Sequence, residues 1–536
     1  MKKLLSLFIC AVLLLGTTLP ASAQSSDSGE IDFGDISRFQ LGDINCDSAV
    51  NATDMAQVKQ VLMAALDCTR EELADLNYDG KVNIIDLVRF KKKLSGVTVS
   101  HFDKKADELK NSIINSADSD VTGRSGKTIY VSANGTSGFS GDSATNPCSW
   151  ENFLKWNGAT EGSAASLTTV LFKRGDTFRG EFLAKDGYYY GAYGEGEKPK
   201  LYGSRSDYSK TEWTLENGLY TATFGYDVGN VFINDGKITG FKKSSLEEVT
   251  DVYDFYCAAV TENETTVYKL YLKLVMAPDE YENIEIGINR NIVHITQDVS
   301  NVTIENIRFM YGGAHGIRAY GNNSNIIIKN CEISHVGGAY IGNTNTTRYG
   351  NGVEFYQGCD NVSVENCYIH DIYDSGITHQ GSGSYTAKNI SFKGNLIENC
   401  GMGSIEYWLS YGSEDYNYAE NVTYADNILR FAGFGFGGEQ RSDKNMSAHI
   451  QSNGMNNNNF TNFTISNNIF DQSTYELVNI ISENGTYPIL SGNIYAQSTG
   501  CLLGTYMNNQ NLVFDVFADN YVNGIFGDKE AEIFYY

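Results

Sequence analysis

Asn301-Val-Thr-Ile-Glu-Asn306-Ile-Arg-Phe309 recurs down the chain. It returns as Asn325-Ile-Ile-Ile-Lys-Asn330-Cys-Glu-Ile333 and as Asn361-Val-Ser-Val-Glu-Asn366-Cys-Tyr-Ile369. Asn389-Ile-Ser-Phe-Lys-Gly394-Asn-Leu-Ile397, Asn421-Val-Thr-Tyr-Ala-Asp426-Asn-Ile-Leu429 and Asn462-Phe-Thr-Ile-Ser-Asn467-Asn-Ile-Phe470 complete the set. Their starts lie 24, 36, 28, 32 and 41 residues apart. A constant core with variable spacing marks a solenoid: each repeat is one coil, and the extra residues bulge out as loops. Within the core, a β-branched strand leads to an Asn, Asp or Gly and then to a second strand. Those turn residues tolerate a left-handed backbone. Coils stacked in register make parallel sheets around an apolar column. Cys331 and Cys367 share a repeat position and are expected inside, with Asn395, Asn427 and Asn468 continuing the row. No Leu-x-x-Leu-x-Leu pattern occurs, which excludes a leucine-rich repeat.

These repeats resemble the right-handed parallel β-helix of pectate-lyase-like proteins, firmly over about 290–500 and by extension over 128–536. The fold class expected is mainly β: a right-handed parallel β-helix solenoid with a small antiparallel β insertion, preceded by an α-helical calcium-binding dockerin. The insertion, at about 205–285, is read from Trp213, Tyr220, Phe232, Tyr253, Tyr268 and Tyr271 and from the hairpin signal Asn234-Asp235-Gly236. Residues 504–536 lose the period and are expected to cap the solenoid.

The dockerin reading rests on a twelve-residue loop that occurs twice. Asp43-Ile-Asn45-Cys-Asp47-Ser48-Ala49-Val50-Asn51-Ala-Thr-Asp54 is echoed 32 residues later by Asp75-Leu-Asn77-Tyr-Asp79-Gly80-Lys81-Val82-Asn83-Ile-Ile-Asp86. Oxygens at loop positions 1, 3, 5 and 12, with the carbonyl of position 7, suit a hard calcium ion. The expected ligands are Asp43, Asn45, Asp47, Ala49 and Asp54 in one loop, and Asp75, Asn77, Asp79, Lys81 and Asp86 in the other. The pair resembles the type I dockerin module, here over 39–98. The final Asp of each loop fits that family, whereas Ser48 departs from the usual glycine. The resemblance implies two calcium ions and a cohesin of a scaffoldin as partner, contacted through Ala52-Thr53 and Ile84-Ile85. Residues 99–127 read as a linker with a short helix around 102–114.

Residues 1–23 read as a secretory signal: Lys2 and Lys3, an apolar run over 4–15, and Ala21-Ser22-Ala23 before Gln24. Secretion to the extracellular space is therefore expected. No later run is long and apolar enough for a membrane span. The net charge of −25 argues against nucleic acid as a partner. Ten cysteines, sparsely spread, do not form a disulfide framework, although Cys46 and Cys68 share the dockerin. With no CxxC pair and no dense His/Cys cluster, zinc is not expected.

The third strands of successive coils align as Ile317-Arg318-Ala319-Tyr320, Val353-Glu354-Phe355-Tyr356, Ile377-Thr378-His379-Gln380 and Ile405-Glu406-Tyr407-Trp408. Strand alternation sends Arg318, Glu354, Thr378 and Glu406 outward, beside Tyr320, Tyr356, Gln380 and Trp408. Glu354 and Glu406, two coils apart, are then about 10 Å apart. Glu439 and Arg441 are expected on the next coil. The long insertions after Ile333 and Leu429 would wall a groove. Carboxylates beside aromatic platforms suit glycan cleavage: one carboxyl protonates the leaving oxygen, another activates water or attacks the sugar, and rings stack on pyranose faces. The catalytic candidates are Glu406, Glu439, Glu354 and Arg441. The substrate-binding candidates are Tyr356, Trp408, Gln380, Arg318, Asp371 and Asp374. His379 is expected inside.

Neither the Asp-Asp calcium pattern of pectate lyases nor the motif blocks of polygalacturonases occur. The resemblance thus carries a fold and a carbohydrate-active class, not a catalytic set. The function expected is a secreted, scaffold-attached enzyme degrading plant cell-wall polysaccharide, a glycoside hydrolase with paired carboxylates. A lyase of a pectin-like substrate and a non-catalytic carbohydrate-binding β-helix stand as alternatives. Calcium should raise the helical circular-dichroism signal of the chain and permit capture by a cohesin. The double substitution Asp43→Ala/Asp75→Ala should abolish both responses.

Overall fold

The turn residue at the sixth position of each repeat sets the architecture. In the computed structural model Asn306, Asn330, Asn366, Gly394, Asp426 and Asn467 all take φ between 49° and 66°. That left-handed step redirects the chain without breaking the strand on either side. The model describes residues 51–62, 100–138, 140–158, 167–262, 264–342, 346–381, 385–409, 417–453, 458–481, 486–507 and 509–536. The proposed signal, Cys46, Cys68 and all expected calcium ligands except Asp54 lie outside these residues. Asp54 is buried near the start of the helix Ala52–Leu62, where its carboxylate accepts from the Asn51 backbone N–H at 3.0 Å.

Among the described residues, three ten-stranded sheets form the solenoid. The first runs from Lys127–Thr136 to Ile489–Ser491 and the second from Thr177–Arg179 to Glu532–Tyr535. The third runs from Phe182–Ala184 to Asn509–Val513, whose pairing alone is antiparallel. Each repeat core supplies one strand to the first sheet and one to the second. The apolar column is continuous, from Val131 and Phe172 through Ile304, Ile328, Val364, Phe392 and Tyr424 to Tyr495. His379 is inside it, as expected, with Nε2 2.6 Å from the Tyr424 hydroxyl.

Beside that column runs a polar ladder. Asn427 donates from its backbone N–H and its amide Nδ2 to Asn468 Oδ1, at 3.0 and 2.8 Å. Asn395 donates to Asn427 in the same two ways, both at 2.9 Å. Asn468 donates likewise to Asn493, and Asn493 to the buried carboxylate of Asp528. Cys367 N–H begins the ladder on Asn395. Each Asn thus closes the turn of its own coil onto the next, and Asp528 supplies the final acceptor. A second, exposed ladder links the first residues of the repeats, Asn301, Asn325 and Asn361, then Asn389, Asn421 and Asn462.

Aromatic side chains close the ends. Trp150 and Phe153 of the helix Trp150–Gly158 pack on Phe172, Phe178 and Phe182 at one end. Val522 and Phe526 pack into the column at the other. The terminal strand Glu532–Tyr535 still extends the second sheet, so the cap follows part of a coil. The insertion has its own five-stranded and three-stranded sheets and its own core, including Val231, Phe255, Leu270 and Ile286. Asn230 fastens it to the solenoid by donating to the Gly312 and Gly337 carbonyls at 3.0 and 2.7 Å.

The stretch read as a linker lies against the solenoid. Helix Asp103–Ile114 turns Ala106 and Ile113 onto Tyr368, Leu396, Ile428 and Ile469, the outward apolar residues of the second sheet. Ion pairs Arg430–Asp103 and Arg174–Asp118 hold it down. It acts as a strap, not a tether.

Asn427→Ala would leave the Asn395 backbone N–H and the Phe392 carbonyl without their side-chain partner and take one of two donors from Asn468 Oδ1. Each such buried group costs about 1–3 kcal/mol, so the substitution should destabilise by roughly 3 kcal/mol or more. Asn421→Ala on the exposed ladder should cost about 1 kcal/mol through its left-handed φ. Denaturant melts of the two variants measure the contrast.

Candidate active site

The third sheet has the register expected from alternation. Ile317, Val353, Ile377, Ile405 and Ile450 pair in one inward row. Arg318, Glu354, Thr378, Glu406 and Gln451 form the adjoining outward row. Tyr320, Tyr356, Gln380 and Trp408 form a second. Although these rungs face away from the core, Glu354 and Glu406 are each only 3% exposed, and Thr378 and Gln451 are buried as well. Walls account for that burial. One is the hairpin Ala339–Tyr340 with Arg348–Tyr349, whose Tyr349 ring meets His315 edge-on, and another is the segment after helix Gly435–Gln440, whose Arg441 reaches Asp374; the helix itself packs on the second sheet. At the near end a cavity of about 420 Å³ opens over Leu183, His294, Arg290, Arg318 and Tyr349.

Three donors lock Glu354. Arg318 Nε lies 2.6 Å from Oε2, Gln380 Nε2 donates to Oε1 at 2.6 Å, and His315 Nε2 is 3.2 Å away. The Asn351 N–H donates to His315 Nδ1, which assigns the imidazole proton to Nε2. Burial pushes His315 down to about 4, so it faces Glu354 as a neutral donor. Arg318 also lies 5.2 and 5.3 Å from the rings of Tyr320 and Tyr356, which stack at 5.9 Å.

Asp374 precedes Ser375, whose hydroxyl donates to Glu406 Oε2 at 3.2 Å. Arg441 NH1 lies 2.8 Å from Asp374 Oδ1 and also holds Asp443. Burial dominates at Asp374 and, with the nearby negative charges of Asp443 and Glu354, raises its carboxyl above the usual range despite Arg441. The Tyr373 ring lies under two guanidinium groups, Arg348 at 4.4 Å and Arg441 at 5.5 Å. Arg348 donates to the Gly338 and Gly229 carbonyls, and no carboxylate among the described residues reaches it. Burial lowers its pKa.

Two expectations need correction. Glu439 is not the next rung after Glu406. That rung is Gln451, and Glu439 is exposed on helix Gly435–Gln440. Arg441, just past that helix, does reach the groove, through Asp374. The segment after Leu429 forms a helix and a loop before the strand Ala448–Asn453, which displaces Glu439 from the sheet. Asp371 belongs elsewhere: its carboxylate bonds His370 on the second sheet, at 2.8 Å. Trp408 is half-buried, with its carbonyl taken by the Tyr385 hydroxyl.

Sequence reasoning missed Glu476. Glu476 begins the third-sheet strand after Gln451's, and placing Val478 under Ile450 would have found it. Burial pushes its carboxyl up to about 7, with Asn479 and Thr505 against it. Its Oε2, Gln451 Oε1, Asn479 Oδ1 and Thr378 Oγ1 are buried without a hydrogen-bond partner among the described residues.

Residues 41–95 match the family model of the dockerin type I domain, and residues 230–429 match that of the right handed beta helix region. The chain joins a type I dockerin to a right-handed parallel β-helix. Solved structures similar to it include one described as a glycoside hydrolase, at 10% identity, TM-score 0.43, covering 71% of this chain and 94% of that one. A GH136 lacto-N-biosidase from Eubacterium ramulus is 14% identical, TM-score 0.38, covering 84% and 72%. A pectate lyase is 12% identical, TM-score 0.35, covering 74% and 81%. No curated protein matches the chain. No helix among the described residues of the dockerin–β-helix chain is long and apolar enough to cross a membrane.

The Glu476 carboxyl holds its proton more tightly when folded than when unfolded. Its stabilising contribution is complete below the ordinary value of 4.5 and is lost as pH rises through about 7. Glu476→Gln, which mimics the protonated acid, should match the parent in the acid range. Above neutrality it should be the more stable by up to roughly 3 kcal/mol. Melting temperatures of both proteins across this pH range check the sign.

Proposed function

We propose that this dockerin–β-helix chain is a secreted glycoside hydrolase that cleaves a plant cell-wall polysaccharide in the groove of the third sheet. The carrying observation is Asp374, a half-buried carboxyl with raised proton affinity, held by Arg441 at the start of the strand whose first residue, Ser375, donates to Glu406. Asp374 is the general acid: it protonates the glycosidic oxygen as the bond to the anomeric carbon breaks. Glu406 is the second carboxylate, attacking that carbon or taking a proton from the attacking water. Arg441 orients Asp374. Glu354, saturated by Arg318, Gln380 and His315, is a positioning residue for the groove floor. Tyr320, Tyr356 and Trp408 offer ring faces to pyranoses. The polar atoms of Thr378, Gln451, Asn479 and Glu476 without a partner among the described residues suit a ligand rich in hydroxyls, since unmet buried polar groups are costly.

The same proposal has the dockerin bind two calcium ions and dock the enzyme, by a cohesin, onto an extracellular scaffold that serves a polymeric substrate. A second reading has its own support. Arg348, without a carboxylate partner among the described residues and with a lowered pKa, is suited to the base of a polysaccharide lyase acting on a uronate.

On a panel of plant polysaccharides, the chain should release reducing ends without the ultraviolet absorbance of an unsaturated sugar. Asp374→Asn and Glu406→Gln should each lower kcat by about 10²–10⁴ in folded protein. Trp408→Ala should mainly weaken binding, by roughly 1 kcal/mol. Absorbing products that vanish in Arg348→Ala would replace the hydrolase by the lyase. Binding without any product would leave a carbohydrate-binding β-helix.

A further inference from the structure

A separate cluster lies on the second sheet, away from the groove. Strands Glu332–Val336 and Tyr368–Ile372 pair there, with Ser334 opposite His370. His335 and Asp371 take left-handed φ, 54° and 50°. Ile333 and Val336 both face the core, as do Ile369 and Ile372. Each bulge therefore leaves two consecutive side chains outside. This brings together His335, His370 and Asp371, each with one ligating atom, all within 4.8 Å of one another. His370 Nδ1 is 2.8 Å from Asp371 Oδ2, and its Nε2 is 3.3 Å from Glu332 Oε1. His335 Nδ1 is buried and has no hydrogen-bond partner among the described residues. The insertion closes over the cluster. The Phe232 ring sits edge-on to His335 at 4.8 Å, and Gly236 of the Asn234-Asp235-Gly236 hairpin leaves no room for a side chain beside it.

We infer that His335, His370 and Asp371 form a binding site for one divalent transition-metal ion of the zinc class. Two imidazoles and a carboxylate with an open fourth position are a recurrent zinc set. Nitrogen donors disfavour calcium and magnesium, which take oxygen. Glu332, held by Arg308 at 3.0 Å, supplies the carboxylate that orients a metal-bound histidine from its far nitrogen. In a tetrahedral zinc site, ligand atoms lie about 3.3 Å apart. The His370–Asp371 contact therefore opens by a few tenths of an ångström, and the widest pair closes. The ion would clasp two successive coils where the insertion docks. Zinc was not expected from spacing because the two histidines are 35 residues apart in sequence.

The test uses the full chain, stripped with chelator and returned to excess calcium so that the dockerin loops are filled. Cobalt(II) should give the visible absorption of a nitrogen-ligated, low-coordinate site at one equivalent, and zinc should displace it and raise Tm. His335→Ala, checked for fold by circular dichroism, should lose the absorption. Glu332→Gln should weaken zinc about 10–100-fold while keeping it. The inference is overturned if the parent chain shows neither cobalt absorption nor a zinc-dependent Tm shift. It is equally overturned if both signals persist in the doubly substituted His335→Ala/Asp371→Asn chain.

Discussion

The buried asparagine ladder is the constraint on which the rest depends. Coil lengths vary from 24 to 41 residues between repeats, so loop length cannot set the register. Asn395, Asn427, Asn468 and Asn493 set it instead. Asn427, Asn468 and Asn493 each meet two donors of the preceding coil, Asn395 meets the Cys367 N–H, and all four reach an acceptor beyond, in a place where water cannot substitute. A slip of one residue would strand these groups in the core at a cost comparable with a domain's net stability. Because the three strands of a coil are covalently joined, register fixed at one turn fixes the third sheet too. Only then do Arg318, Glu354, Thr378, Glu406 and Gln451 form a single row.

That row owes its chemistry to the walls. A carboxylate on the outer face of a bare solenoid would be solvated and ordinary. Here the hairpin with Arg348 and the segment with Arg441 cover the face, and both cations converge on Tyr373 beside Asp374. Burial then separates the carboxyls by role. Glu354 is tied to three donors. Asp374 favours its proton despite an arginine. Glu476 does so without any ion pair among the described residues. A carboxyl of raised proton affinity in a walled groove is what the proposed acid–base cleavage of a glycoside would use.

The outer faces of the sheets are used differently. The second sheet gives its later coils to the apolar side of helix Asp103–Ile114 and its earlier ones to the insertion. The third sheet keeps a polar face and is walled, not capped. Strap and insertion lie on the sheet that carries no groove. The histidine cluster sits under the insertion, where a cross-link between coils would also hold that module in place.

The repeat period determined the solenoid, and with it the inward and outward rows of the third sheet. Strand alternation has a strict period of two, and the left-handed Asn positions pin its phase. Glu354, Glu406, Tyr356 and Trp408 were therefore legible as neighbours. The duplicated loop likewise determined the dockerin, because calcium ligands occupy fixed positions within a short stretch. What lies between strands was not legible. Loop conformation follows from packing, so Glu439 was read onto the third sheet and instead sits on a helix packed against the second. Asp371 and Asp374, three residues apart, were both read as substrate-binding, yet one bonds His370 on the second sheet and the other Arg441 at the start of a third-sheet strand. The pairing of Asp374 with Arg441 and of His335 with His370 joins residues dozens of positions apart, across loops of no fixed length. Only the stacked coils decide such contacts, because burial and proton affinity depend on what the fold brings over each group.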